Sequence, residues 1–100
     1  MNFTSYEPGV TKKVAVGAAS VPSEAIGSGG KPQTVRLFAS VGTCIAIGDI
    51  PSASADGFEL AAGIPEYIDI RAGQKIAAIR AAGVTAAGVL KITLCEKRSF

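Results

Sequence analysis

The chain contains no histidine and no tryptophan, and it has two cysteines among its 100 residues. A nucleophile built from a thiolate and a histidine is therefore excluded, as is any metal site with a histidine ligand. Acid or base catalysis would fall to carboxylates or lysines. Cys44 and Cys95 each lie in a hydrophobic run, "TCIAIG" and "ITLCE", which predicts buried free thiols. A disulfide between them is the alternative.

Charged residues are also scarce, since they make up 18% of the chain against about a quarter in ordinary soluble domains. The net charge of +2 is spread without a run of either sign, so nothing resembles a nucleic-acid-binding tail. The low charge indicates either that another chain covers part of the surface or that the surface is rich in alanine and glycine. One hundred residues suffice for one core, so residues 1–100 are predicted to form a single domain.

Long apolar runs are missing as well. No stretch reaches the roughly 18 to 20 apolar residues of a membrane-spanning helix, because glycine, proline or a charge interrupts each candidate. The amino-terminal residues lack the basic start and the continuous apolar stretch of a secretory signal. These observations predict a soluble protein that stays in the cell that makes it.

What the chain does have is a hydrophobic period of two, which is typical of β-strands. The run "TVRLFAS" alternates apolar side chains with Arg36 and Phe38. The run "VLKITLCEK" places Leu90, Ile92 and Leu94 on one face. In "TCIAIG" both faces are apolar or small, so this strand is predicted to be covered on each face or to border a subunit contact.

The segment "GIPEYIDIRAGQKIAAIR", residues 63–80, fits two strands joined by a turn. Pro65 suits a strand start, and Gly73 can take the positive φ that the turn requires. Ile76 and Ile79 are three residues apart, which suggests a bulge or, as the alternative, a short helix within "GQKIAAIRAAGVTAAG". With "KKVAVGA" and "GFEL" the chain has about seven strands. The predicted fold is all-β, a single β-sandwich or jelly-roll-like domain of antiparallel strands.

Two segments lie outside the predicted strands. Residues 1–11 are predicted to form an extended amino-terminal arm, whose Phe3 and Tyr6 either tuck into the domain or anchor on a neighbour. Residues 21–33, "VPSEAIGSGGKPQ", are predicted to form a glycine-rich and proline-rich loop. The "GSGGK" within this loop lacks the spacing of a phosphate-binding P-loop.

Three acids, Asp49, Asp56 and Glu59, lie close together in the sequence "GDIPSASADGFEL". The segment does not match the ligand pattern of a calcium-binding loop, and solvated loop acids are the simpler interpretation. An enzyme that uses these carboxylates is a further alternative. The sequence predicts no catalytic residue, no metal and no cofactor.

Six residues are candidates for an interaction surface. Arg36 and Phe38 share one face of a strand, and Tyr67 could join them. Guanidinium and aromatic groups carry much of the affinity of protein interfaces, although arginines also suit solvated strand edges. A stacking platform for single-stranded nucleic acid is another interpretation. The predicted interface residues are Phe3, Tyr6, Arg36, Phe38, Tyr67 and Arg71.

The second half of the chain carries a longer pattern. Its features are an apolar strand that ends at Ile47 and Gly48, small residues through Ala53 and Ala55, residues 60–63, "PEYIDI", "GQKIAAI" and a closing "GVLKITL". This pattern resembles small virion-associated proteins of tailed bacteriophages, which are often encoded near the major capsid protein. The resemblance implies a compact β-sandwich that serves as a capsid decoration protein or a head or tail completion protein.

The expected function is therefore non-enzymatic stabilisation of a bacteriophage virion through subunit contacts, after synthesis in the host cytoplasm. The expected partners are the major capsid protein, other virion proteins and further copies of the chain. Neither a membrane nor a nucleic acid is expected as a partner. The alternative function is a β-sandwich binding module for carbohydrate or single-stranded nucleic acid.

Overall fold

The computed structural model describes the backbone of residues 4–27 and 32–99 and, within these, the side chains of residues 9–27 and 32–95. Eight strands and no helix lie in the described residues. Accordingly, no described residue belongs to a helix that could cross a bilayer. The strands are β1 (Thr4–Val16), β2 (Val21–Pro22), β3 (Pro32–Ala39), β4 (Thr43–Gly48), β5 (Phe58–Leu60), β6 (Glu66–Arg71), β7 (Lys75–Arg80) and β8 (Gly88–Ser99).

The strands form two four-stranded antiparallel sheets that pack face to face. Sheet A has the order β1-β8-β3-β6, and sheet B has the order β2-β7-β4-β5. The first strand pairs with the eighth, the second with the seventh, the third with the sixth and the fourth with the fifth. A long antiparallel hairpin wrapped in this way is a jelly roll. The predicted all-β sandwich is therefore confirmed, with eight strands where the sequence indicated about seven.

Alternate residues of the strands fill the space between the two sheets, as the period of two predicted. The core consists of Val14, Val16, Ile26, Val35, Leu37, Ala39, Ile45, Leu60, Ile70, Ile76, Ala78, Leu90 and Ile92. The register of β7 against β4 is unbroken, so Ile76 faces the core and Ile79 lies opposite Cys44 on the outer face of sheet B. The bulge and the helix considered for this segment are both wrong.

Strand β1 begins much earlier than the pattern "KKVAVGA" indicated. Of the residues that the sequence placed in an extended arm, 4–8 and 11 pair with β8, and Thr4 lies opposite Ser99. A β-bulge between Pro8 and Thr11 absorbs the local irregularity. A Cβ at Gly9 would lie 2.9 Å from the carbonyl oxygen of Leu94, so glycine fits this position. Pro8 is tolerated because β1 is an edge strand.

The predicted loop of residues 21–33 is in part regular structure. Val21 and Pro22 form β2 against β7, and Pro32 begins β3. The Ser23 amide donates to the Ile76 carbonyl at 2.8 Å, and the Ser23 hydroxyl accepts from the Ile76 amide at 3.0 Å. Ile26 is buried in the core. The predicted loop is therefore strand at both ends, because Val21 and Pro22 pair with β7 whereas Pro32 and Gln33 pair with β6. Residues 28–31 lie outside the described residues.

Candidate interaction surfaces

The outer face of sheet B is covered by the chain's own loop, residues 49–57, between β4 and β5. Cys44 points outward from β4, yet its side chain is fully buried. Its thiol lies 3.3 Å from the Ala55 carbonyl oxygen and donates a hydrogen bond to it. Burial raises the pKa of the Cys44 thiol, and the negative charge of Glu59 acts in the same direction. The thiol is therefore held protonated beneath the loop.

Further hydrogen bonds fix this loop across the sheet. The Ala53 amide donates to the Ser20 hydroxyl at 2.8 Å, and the Ala82 amide donates to the Ala55 carbonyl at 3.3 Å. Beneath the loop, outward-facing Ala77 of β7 is 0% exposed. Cys44 and Ala77 are small, which leaves the room that the loop occupies. The first half of the strand "TCIAIG" is thus covered on each face, and the second cover is intramolecular, whereas Ile47 near its end is 41% exposed.

The acids of this loop stay on the surface. Asp49, Asp56 and Glu59 are all exposed. In the part of the chain that the structure describes, no three cysteine, aspartate or glutamate side chains cluster as metal ligands would. Both cysteines are buried free thiols, as the sequence predicted, and they form no disulfide.

The outer face of sheet A has a different character. Along each of its four strands, alternate residues point outward, and many of them carry large side chains. The residues between them point inward and fill the core. Arg36 lies opposite Tyr67 on β6 and opposite Thr93 on β8. We call this surface the sheet A face; it comprises Thr11, Lys13, Arg36, Phe38, Tyr67, Asp69, Arg71, Lys91 and Thr93.

Four of the six predicted interface residues therefore share the sheet A face. They are Arg36, Phe38, Tyr67 and Arg71. The Arg36 guanidinium carbon lies 5.2 Å from the centroid of the Phe38 ring, in a cation–π contact. Of the other two predicted residues, Phe3 lies outside the described residues. Tyr6 belongs to β1, but its side chain is not among those described.

The sheet A face is rich in positive charge. Lys13 and Lys91 are directly opposite each other on β1 and β8. Arg36 and Arg71 add two further cations, whereas Asp69 accepts a hydrogen bond from the Thr34 hydroxyl. Among the described side chains, the one ion pair within 4 Å joins Lys12 to Glu24, away from this face. The four cations of the sheet A face are therefore not neutralised by carboxylates of the described residues.

A second candidate surface is an apolar cleft where β5 and β6, the edge strands of the two sheets, lie over each other. It has a volume of about 270 Å³ and is lined by Ile45, Ala46, Ile47, Phe58 and Ile68. Phe58 is 60% exposed and Ile47 is 41% exposed. We call it the β5–β6 cleft. The sequence pattern did not identify it, because Ile47 and Phe58 lie at inward positions of their strands, which predicts burial. They are exposed because they lie near the edge of the sandwich, at the edge strands β5 and β6.

The opposite side of the sandwich, between β1 and the segment after β2, holds a smaller pocket of about 220 Å³. Val10, Ile26, Ile92 and Leu94 contribute its apolar lining. Lys12 also lines this pocket, and its ion pair with Glu24 connects β1 to the segment after β2. This pocket is consequently bridged by charged side chains, unlike the β5–β6 cleft, whose lining is apolar.

Comparison with known proteins adds no guide to function. No protein-family model, no curated protein and no solved structure matches this chain. Any assignment of function must therefore be argued from the surfaces described above.

Proposed function

We propose that the chain is a non-enzymatic structural protein of a bacteriophage particle, a capsid decoration or head accessory protein that stabilises the virion through subunit contacts. The resemblance in the second half of the chain supports this proposal. The fold is compatible with it, since jelly rolls occur in viral capsid domains. Because one fold can serve many functions, the proposal depends on a surface that suits a protein partner.

The β5–β6 cleft is the observation that carries the proposal. Leu60 and Phe58 lie on the same face of β5, but Leu60 is 2% exposed and Phe58 is 60% exposed. The phenyl ring is thus left in solvent beside an apolar opening. A cavity of about 150 Å³ can hold a benzene-sized group, so a cleft of about 270 Å³ has room for an apolar side chain of a partner.

The energetics suit a repeated contact on a symmetric particle. Complete burial of Phe58 or Ile47 would contribute roughly 1.5 to 3 kcal/mol each. A single contact of this size is weak, but copies joined to one another bind a repeating shell with much greater avidity. The proposed partners are the major capsid protein or another virion protein, together with further copies of this chain.

The proposal is tested on particles of the virus that encodes the chain, prepared with and without its gene. The purified chain, added back to particles that lack it, should band with them on a density gradient. Phe58→Asp should abolish this binding, because it places a charge in the apolar contact. Val10→Asp is the matched control, since Val10 is equally exposed on the opposite side of the sandwich.

Two results would contradict the proposal. One is absence of the chain from purified particles whose genome encodes it. The other is equal binding of the Phe58→Asp variant and the unaltered chain, which would remove the β5–β6 cleft from the contact.

A further inference from the structure

The fold sorts charges that are mixed in the sequence. The sheet A face collects four cations and one carboxylate, whereas the loop over sheet B and strand β5 carry exposed Asp49, Asp56 and Glu59. A net charge of +2 spread evenly along the chain predicted no nucleic-acid partner. The folded chain instead presents a distinctly basic surface on one side. A surface of this kind attracts polyanions whatever the total charge of the domain.

The Lys13 and Lys91 pair is unfavourable by itself. Like charges directly opposite each other on neighbouring antiparallel strands destabilise a sheet. Among the described side chains, neither lysine has an ion-pair partner within 4 Å that would compensate. A bound anion would remove this repulsion, so the pair is better suited to a complex than to the isolated chain.

Next to these lysines lie groups that can contact a nucleobase. Phe38 is directly opposite Lys91, and Tyr67 is directly opposite Arg36. Tyr67 is 54% exposed, so part of its ring is open to solvent. Arg36 is stacked on Phe38, which orders its planar guanidinium for a two-pronged contact with a phosphate.

The length of the surface suits a short strand. Lys13 and Arg71 lie at opposite corners, three strands and six residue positions apart in the registered ladders. That separation is roughly 24 Å at ordinary strand spacing. Such a distance matches the smallest sites on single-strand-binding sheets, about four nucleotides.

We infer that the sheet A face binds single-stranded nucleic acid, with Lys13, Lys91, Arg36 and Arg71 contacting phosphates and Tyr67 stacking on a base. Bases that are already paired in a duplex cannot stack on Tyr67, so a single strand is preferred. The inference does not depend on the proposed virion function, because it concerns the opposite sheet face from loop 49–57 and does not use the β5–β6 cleft.

The test is fluorescence anisotropy of a labelled oligothymidine of about 12 nucleotides, titrated with the full chain at about 50 mM salt. The single strand should bind, and the matching duplex should bind more weakly. Four phosphate contacts predict a slope of about −3 in the plot of log affinity against log salt. Lys91→Glu should lower the affinity at least about tenfold, since it replaces a phosphate contact by repulsion.

Two further variants separate stacking from charge. Tyr67→Ala should weaken binding at least about fivefold, the lower end for loss of one stacked base. Tyr67→Phe keeps the ring and should retain the affinity. Lys75→Glu, the matched control for Lys91→Glu, makes the same charge change on the outer side of sheet B and should weaken binding much less.

Three outcomes would overturn the inference. The first is absence of binding to the oligonucleotide. The second is an equal loss of affinity in Lys75→Glu and Lys91→Glu, which would indicate attraction by total charge alone. The third is full affinity in Tyr67→Ala together with equally tight binding of a sulfated polysaccharide, which would identify a glycan or general polyanion site. Melting temperatures close to that of the unaltered chain establish that each variant is folded.

Discussion

The two outer faces of the sandwich differ in what covers them. On sheet B, outward Cys44 and Ala77 are small and fully buried, because residues 49–57 of the same chain lie across them. On sheet A, outward Lys91, Tyr67 and Arg71 are large and exposed, and no described segment of the chain covers them. Small outward side chains, as at Cys44 and Ala77, leave room for a loop of the same chain, whereas large and charged ones, as at Lys91 and Arg71, stay exposed to solvent or a partner.

The difference also bears on the low charge of the sequence. Part of the uncharged strand surface lies around Cys44 and Ala77 on the outer face of sheet B, and the chain covers this part itself. The need for another subunit is therefore smaller than the composition indicates. Among the described residues, the sheet A face and the β5–β6 cleft do remain open.

The largest expected effect comes from introducing a charge on each outer face. Ala77→Asp would bury a carboxylate beneath the loop and should lower the free energy of unfolding by on the order of 3 to 5 kcal/mol. Ala15→Asp is the same substitution at an exposed outward position of β1 and should cost less than about 0.5 kcal/mol. Urea denaturation measures both. Similar losses of unfolding free energy in the two variants would mean that the two faces do not differ in how they are covered.

An intermediate effect is expected from releasing the loop. Ser20→Ala removes the hydroxyl that accepts from the Ala53 amide and should cost about 1 kcal/mol of unfolding free energy. Ser52→Ala, an exposed position in the same loop, should be nearly neutral. The difference between the two denaturation midpoints is the measurement. No difference would show that Ser20 does not hold the loop.

The smallest expected effect concerns pH. Because burial raises the pKa of Cys44, its thiol ionises in the unfolded chain at a pH where the folded thiol is still protonated. Its contribution to stability is therefore complete below the ordinary thiol pKa and is lost as the pH rises through the folded pKa. Cys44→Ala should flatten the alkaline decrease in stability measured by urea denaturation. Cys95→Ala keeps the Cys44 thiol and should keep the slope; equal slopes in both variants would contradict the prediction.

Sequence reasoning predicted those elements in which local pattern and tertiary structure agree. The runs containing Leu37 and Leu90 alternate clearly, and both are strands with one face in the core. The grouping of Arg36, Phe38 and Tyr67 also followed from alternation, although their register depends on the pairing of β3 with β6.

The elements that sequence reasoning missed depend on tertiary contacts. Strand β2 has two residues and includes Pro22, so no periodicity was available to identify it. Pro8 and Gly9 are typical of the end of a strand, but β1 continues across them because a bulge on an edge strand accommodates both residues. The position of residues 49–57 is set by hydrogen bonds to Ser20 and Ala82, which lie far away in the sequence, and to the nearer Cys44.

The coverage of the two faces is measured by the rate at which a thiol reagent labels Ala77→Cys and Ala15→Cys under native conditions. The cysteine at position 15 should react about as fast as a thiol in an unfolded chain, because it is exposed. The cysteine at position 77 should react orders of magnitude more slowly until denaturant is added, because residues 49–57 cover it. Rapid labelling at both positions in the folded chain would contradict the division of the molecule into one self-covered face and one open face.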